Sequence, residues 1–177
     1  MFVYYIAIFG AVSGAGIFGT QFYGKGDYKG QRHVFRFKMY ACIVFALVTI
    51  VLFITAGTPL ISLYLNDTGG VGDIQKALEF GQGYLRIMII GIIPFAIGQA
   101  YISTVRETGE TFVPMLASIA AVFINLVLDY MLIFGKFGAP ELGVEGAAAA
   151  TVVARFVELM IVVIWTHVNS SRNQFII

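Results

Sequence analysis

Five stretches of about 20 mostly apolar residues follow one another along the chain, separated by short polar segments. A hydrocarbon core about 30 Å thick needs roughly 20 such residues in a helix, so each stretch predicts one membrane-spanning helix. The predicted helices cover about 1–23, 38–57, 82–104, 112–134 and 145–166. The pattern therefore predicts an all-α fold: a polytopic membrane helix bundle in which residues 1–177 form a single transmembrane domain with no soluble domain.

Composition agrees with this class. Hydrophobic residues make up 59% of the chain and charged residues 12%, about half the charged share of a soluble domain. The net charge of +1 lacks the basic field that nucleic-acid binding requires. The single cysteine, Cys42, excludes an internal disulfide and a cysteine zinc site. We expect a multi-pass integral protein of the cell membrane, with no nucleic-acid partner.

The distribution of basic residues predicts the orientation of the helices. The segment between the first two predicted helices is strongly basic: Lys25, Lys29, Arg32 and Arg36, with Lys38 at the next helix start. The following loop carries only Lys76 among acidic residues. Basic loops favour the cytoplasm, so the first helix is predicted to begin outside. Because such a start without a leader is unusual, we expect at least one helix before it.

Polar residues inside the fourth predicted helix form a stripe. Ser118, Asn125 and Asp129 share one helix face, which must point inward because the other faces are apolar. At 1.5 Å per residue, Asp129 lies about 7.5 Å from the outer end of its helix, and Thr151 lies roughly 10 Å down the next one. The small residues of 143–150 favour a close approach of these two helices.

This cluster has two interpretations. It can be interhelical glue, or it can couple ion movement to conformation, since desolvation disfavours the charged form of Asp129 and lets it exchange a proton. Asn125 and Thr151 can also offer oxygen ligands to a small cation such as Na⁺. Arg155 and Glu158, one turn apart in the fifth helix, are predicted to form an intramembrane ion pair that faces the bundle.

At the level of motifs, the chain resembles the multidrug and toxic compound extrusion (MATE) transporters. Four segments carry the resemblance: Gln21–Asp27 (QFYGKGD), Arg106–Gly109 (RETG) with Pro114, Asn125–Gly135 (NLVLDYMLIFG), and Gly138–Thr151 (GAPELGVEGAAAAT). Their order is similar to that of the second to sixth helices of the family's N-terminal half. The resemblance implies that Asn125, Asp129 and Thr151 form the cation site of that lobe. The family's further Asp, on its first helix, has no counterpart in this chain.

What the resemblance implies is part of a secondary active multidrug efflux transporter, exchanging Na⁺ or H⁺ for drugs by alternating access. Its partners would be drug-like or cationic substrates, the lipid bilayer, and a first helix and C-terminal lobe that this chain lacks. It implies no cofactor, only the transported Na⁺ or H⁺, and no metal beyond Na⁺ at Asp129.

Other classes are weighed against this one. A related flippase of lipids or lipid-linked saccharides would want a more basic cavity, and a non-transporting structural membrane subunit would make the polar cluster accidental. A channel lacks a selectivity-filter segment, and an enzyme lacks a second catalytic group near Asp129. Gly14, Gly16 and Gly19 spell the dinucleotide pattern GxGxxG, but inside an apolar span they favour close helix approach instead.

Overall fold

A computed structural model describes residues 2–62 and 71–176. Its five helices are α1 Phe2–Gly24, α2 Tyr28–Ser62, α3 Val71–Glu107, α4 Phe112–Phe134 and α5 Val144–Val168, with a short 3₁₀ turn at Lys136–Gly138. All five are long and apolar enough to cross a membrane. The prediction of an all-helical bundle with five spans is confirmed. Part of the polar loop predicted to face outward, residues 63–70, lies outside the described residues.

The second and third helices are longer than the apolar stretches that predict them. At 35 residues, α2 is about 52 Å long, well beyond the hydrocarbon thickness. It begins early because the backbone N–H of Gly30 donates to Asp27 Oδ1 at 2.9 Å, which caps the helix. Only a tight turn with Gly26 at φ +72° separates α2 from α1. Of the basic residues of the predicted loop, Lys25 lies in this turn, and Lys29, Arg32 and Arg36 lie on the first turns of α2.

The helix α3 is the centre of the bundle and packs against α1, α2 and α5. Its core with α1 and α2 is built from buried apolar side chains: Tyr4, Ile8, Val12, Cys42, Ala46, Ile92, Phe95, Ala96 and Ala100. By contrast, α4 packs almost entirely on α5, touches α3 only slightly, and has no contact with α1 or α2 among the described residues. The fold thus consists of a group of three helices, α1, α2 and α3, and a hairpin of α4 and α5 that packs against this group mainly through α5.

The two helices of the hairpin approach closely where the sequence is rich in small residues. A Cβ at Gly146 would lie 2.7 Å from the carbonyl oxygen of Leu132 on α4, so only glycine fits there. The connection is fixed by a hydrogen bond from Leu142 N–H to the same carbonyl, at 2.8 Å, and by Gly135 in the left-handed region at φ +61°. This close packing agrees with the prediction from the Gly and Ala content of 143–150.

Residues after α5 fold back onto the bundle. The Phe175 side chain is fully buried and its ring lies 5.1 Å from that of Phe35 on α2. Arg32 donates to the carbonyl oxygen of Gln174 at 3.3 Å, and Asn173 donates to that of Thr166 at 3.4 Å. The end of α5 is thereby fastened to the first turns of α2.

Candidate functional site

The α4–α5 interface contains the first part of the predicted cation site. Asn125 Nδ2 on α4 lies 3.5 Å from Thr151 Oγ1 on α5, at the limit of a hydrogen bond. The Thr151 hydroxyl donates to the carbonyl of Ala147 one turn earlier, so its oxygen faces Asn125 with a lone pair available. Two helices thus bring together polar side chains from positions 26 residues apart.

Asp129 lies one turn beyond Asn125 on the same helix. Its Oδ1 atom is buried and has no hydrogen-bond partner among the described residues. Neither Asn125 nor Thr151 therefore satisfies this oxygen, although Asp129 belongs to the same stripe. An unsatisfied buried carboxylate oxygen is costly and calls for a proton, a cation or water.

The polar stripe divides at Ser118. The Ser118 hydroxyl donates to Glu158 Oε1 at 2.8 Å, and Arg155 Nη1 donates to Glu158 Oε2 at 3.0 Å. Ser118 thus binds Glu158 of the Arg155–Glu158 pair and not Asp129, although Ser118, Asn125 and Asp129 lie on the same face of α4. The structure brings Arg155 and Glu158 together as an ion pair, with both carboxylate oxygens of Glu158 engaged.

A cavity of about 530 Å³ is lined both by the Asn125–Thr151 contact and by the Arg155–Glu158 pair. It lies between α1, α3, α4 and α5, and its polar wall contains Gln99, Arg106, Ser118, Asn125, Thr151, Arg155 and Glu158. Its aromatic lining residues are Phe2, Tyr5, Phe9 and Phe95. Asp129 is not among its lining residues. The cavity is of the size that binds drug-like molecules, and its rim includes two of the three predicted cation-site residues.

A second buried polar cluster escaped the sequence analysis. Lys38 of α2 is fully buried and forms an ion pair with Glu107, the last residue of α3. The Lys38 ammonium also donates to Ser103 Oγ and Thr104 Oγ1, each at 3.2 Å. Its three N–H groups therefore have three acceptors. The sequence predicts Lys38 to be one more basic residue at a membrane edge, whereas the structure places its side chain in the interior of the helix bundle.

Glycines of α1 make room for the Glu107 carboxylate. A Cβ at Gly16 would lie 2.8 Å from Glu107 Oε1, and a Cβ at Gly19 would overlap Oε2. Gly10 and Gly14 face nothing within 4 Å. Two of the three glycines in the GxGxxG match thus permit the approach of a charged side chain to the α1 backbone. The signal in the sequence is a lysine at the start of the second predicted helix and a glutamate just after the end of the third, with a serine and a threonine close to the glutamate. Such a pattern is common in membrane proteins and is therefore a weak indication of an ion pair.

Comparison with known proteins gives consistent matches. The chain matches the MatE family over residues 1–131. It is 35% identical to the "Probable multidrug resistance protein NorM" of Thermotoga maritima over 147 residues, which cover 82% of this chain and 30% of the relative. It is 24% identical to the protein of the same description from Agrobacterium fabrum, over 88% of this chain and 32% of the relative. The chain thus spans about a third of the length of these relatives.

The fold is also found among solved structures. The helices superpose with a TM-score of 0.74 on an "inward-facing conformation of a multidrug resistance MATE family transporter of the MOP superfamily". The match covers 91% of this chain and 35% of the solved one, at 22% identity. At this identity the likeness establishes a common fold.

Proposed function

Because this chain belongs to the MatE family of multidrug and toxic compound extrusion (MATE) proteins and is a multi-pass integral membrane protein, we propose that it forms part of a cation-coupled multidrug exporter. In this proposal the chain is most of one lobe, and alternating access exchanges Na⁺ or H⁺ for the exported compound. The remaining partners are a first helix and a C-terminal lobe, since the relatives are about three times as long as the matched region.

One observation carries the coupling part of the proposal. Asp129 Oδ1 is buried without a partner among the described residues, one turn from the Asn125–Thr151 contact. A structural carboxylate at a helix interface has at least one hydrogen-bond or ion-pair partner, as Glu107 has in Lys38, because an unsatisfied buried acceptor destabilises the fold. A group that exchanges a proton or a cation must instead keep an oxygen available. The orphan atom therefore supports ion coupling over interhelical glue.

The same residues suggest how coupling reaches the substrate. Asn125 and Thr151 belong both to the neighbourhood of Asp129 and to the wall of the 530 Å³ cavity. A proton or Na⁺ at Asp129 cancels one negative charge and draws these oxygens toward it. In the proposal, this change of charge and orientation alters the cavity wall that contacts a bound compound. Ion and substrate thus compete through shared side chains.

The decisive experiment is transport by a hybrid in which this chain replaces the matching region of the Thermotoga maritima relative. We expect the hybrid to expel ethidium from cells that lack other efflux pumps. Asp129→Asn should abolish expulsion at unchanged membrane abundance, because the amide keeps the shape but neither titrates nor carries charge. Asp27→Asn is the matched control, since Asp27 is exposed and asparagine also caps helices. Normal efflux by the Asp129→Asn hybrid would show that Asp129 is structural.

A further inference from the structure

We propose that the 530 Å³ cavity binds planar aromatic anions, with the Arg155 guanidinium receiving the carboxylate. The proposal names a substrate class for the transport site, and in that sense it rests on the proposed function. It differs from the cationic compounds that the family resemblance implies. The evidence is the unequal exposure of the two charges in the Arg155–Glu158 pair.

Arg155 and Glu158 both line the cavity, but the Arg155 side chain is much the more accessible of the two. The side chain of Glu158 is only 8% exposed, whereas that of Arg155 is 33% exposed. Both carboxylate oxygens of Glu158 are already engaged, one by Ser118 and one by Arg155. An entering molecule therefore meets the cation and not the anion of this pair.

The guanidinium has donors to spare. An arginine carries five N–H donors in a planar fork, and one nitrogen of Arg155, Nη1, donates to Glu158. The other donors have no protein acceptor among the described residues. A carboxylate is the ligand that fits such a fork in shape and charge. Pairing it with Arg155 would not require Glu158 to leave.

Aromatic rings next to Arg155 define the rest of the ligand. The Arg155 guanidinium carbon lies 5.0 Å from the centre of the Phe95 ring, so the ring supports one face of the cation and leaves its edge open. Tyr5 and Phe9 meet Phe95 edge-on, with centroids 4.8 and 6.3 Å away. A flat ring system can pack among these side chains while its acidic group reaches Arg155.

The formal charge of the cavity wall points the same way. Its charged lining residues are Arg106, Arg155 and Glu158, two positive against one negative. No acidic side chain of α1 or α4 is among its lining residues. Glu158 is thus the only acidic group among the lining residues, and it is already paired with Arg155, so an anion at the free edge of Arg155 meets no unpaired negative charge of the wall.

Binding of matched probes to the chain itself tests the proposal. The 177-residue chain in lipid nanodiscs is dialysed to equilibrium against three probes in separate experiments. The probes are anthracene-2-carboxylate, the cation 2-(aminomethyl)anthracene and the neutral alcohol 2-(hydroxymethyl)anthracene. Binding to empty nanodiscs is subtracted. We expect the carboxylate to bind about tenfold more tightly than the cation, which corresponds to about 1.4 kcal/mol. Equal or weaker binding of the carboxylate, or no binding of any probe, would overturn the proposal.

Charge variants then locate the preference. Arg155→Gln leaves Glu158 without its cation, so the preference should reverse and the aminomethyl probe should bind more tightly. The double variant Arg155→Gln/Glu158→Gln removes both charges of the pair and leaves Arg106 as the charged lining residue, so the preference for the carboxylate should fall well below that of the wild type. Arg155→Lys keeps the charge and the pair, so it should favour the carboxylate, less strongly than the wild type. Arg36→Gln, an equal charge change on an exposed position of α2, is the control and should change nothing.

The outcomes separate this inference from the proposed function. Dialysis involves no ion gradient and no second lobe, so it reads binding alone. Carboxylate binding that depends on Arg155, together with a hybrid that transports neither ethidium nor the carboxylate probe, would support the inference and contradict the exporter. A transporting hybrid whose lobe prefers the cationic probe would do the opposite. Retention of the anion preference in the Arg155→Gln variant would assign the effect to another residue and reject the inference.

Discussion

Lys38 and Glu107 form an ion pair across the α2–α3 interface, with the ammonium fully enclosed and the carboxylate resting on the glycines of α1. The pair joins three helices at one point, because Lys38 belongs to α2, Glu107 to α3, and the glycines beside the carboxylate to α1. Removing one member of a buried pair leaves an uncompensated charge, which is far costlier than removing both.

Breaking this pair should therefore destabilise the bundle unequally. Lys38→Met is expected to lower the free energy of unfolding by about 3 kcal/mol or more, because Glu107 stays buried without its cation. The double variant Lys38→Met/Glu107→Gln should lose clearly less than the sum of the single losses. Unfolding of the purified protein in mixed micelles with increasing SDS measures both. Strict additivity of the two changes would mean that the residues do not interact.

Alanine at the glycines of α1 should act through Glu107. Gly19→Ala and Gly16→Ala place a methyl group where the carboxylate lies, so both should lower the SDS midpoint of unfolding. Gly10→Ala and Gly14→Ala are matched controls on the same helix, since nothing lies within 4 Å of a Cβ there. The loss at Gly19 should shrink when Glu107 is also changed to Ala. An equal loss with and without the Glu107 side chain would assign the glycine to another contact.

Within the candidate cation site the three residues should differ in effect. In the hybrid transporter, Asn125→Ala and Thr151→Ala should slow ethidium efflux less than Asp129→Asn stops it, because each removes a neutral oxygen and leaves the titrating group. Efflux rates at equal membrane abundance test this order. If all three variants lose abundance together, the cluster holds α4 and α5 in place, and coupling lies elsewhere.

Cysteine labelling can test the predicted orientation. Cys42 is fully buried, so it adds little background, and a Cys42→Ala chain can serve as the parent. A cysteine at the exposed Lys136 should react with a membrane-impermeant maleimide added to intact cells. Cysteines at Lys25 and Arg172 should react only after permeabilisation. Labelling at position 25 from outside would show that the bundle has the opposite orientation, with Asp129 in the other half of the membrane.

The chain expressed by itself should insert without conferring drug resistance. It spans about a third of the length of its relatives, so half of the proposed transport pathway would be absent. Carbonate extraction checks insertion, and growth in the presence of ethidium checks resistance against cells with an empty vector. Resistance equal to that given by the hybrid would show that copies of this chain assemble into a complete transporter.

The sequence predicts some features of this structure well because they depend on local periodicity. Hydropathy places the five spans, and counting residues from the predicted helix ends gives Asp129 and Thr151 similar depths. In the structure it is Asn125, one turn away from Asp129 on α4, that lies 3.5 Å from Thr151. The helix-face pattern could not say which neighbour each polar residue meets, so Ser118 was grouped with Asp129 although it donates to Glu158.

Long-range charge pairing was beyond the same reasoning. Lys38 and Glu107 are 69 positions apart, and each lies where a membrane protein commonly keeps a solvated charge. Only the extension of α2 to Tyr28 moves Lys38 into the interior. The exposure difference between Arg155 and Glu158 is equally invisible in sequence, because it depends on Ser118 from another helix.

The attachment of α4 to the bundle almost entirely through α5 has a mechanical consequence. Asn125, Asp129 and Thr151 all belong to the α4–α5 hairpin, whereas the 530 Å³ cavity lies between that hairpin and the helices α1 and α3. A tilt of the hairpin about the α3–α5 interface would widen or close the cavity, while the three polar residues would move together and keep their positions relative to one another. Compounds of different size could then be accommodated without disturbing the geometry around the carboxylate.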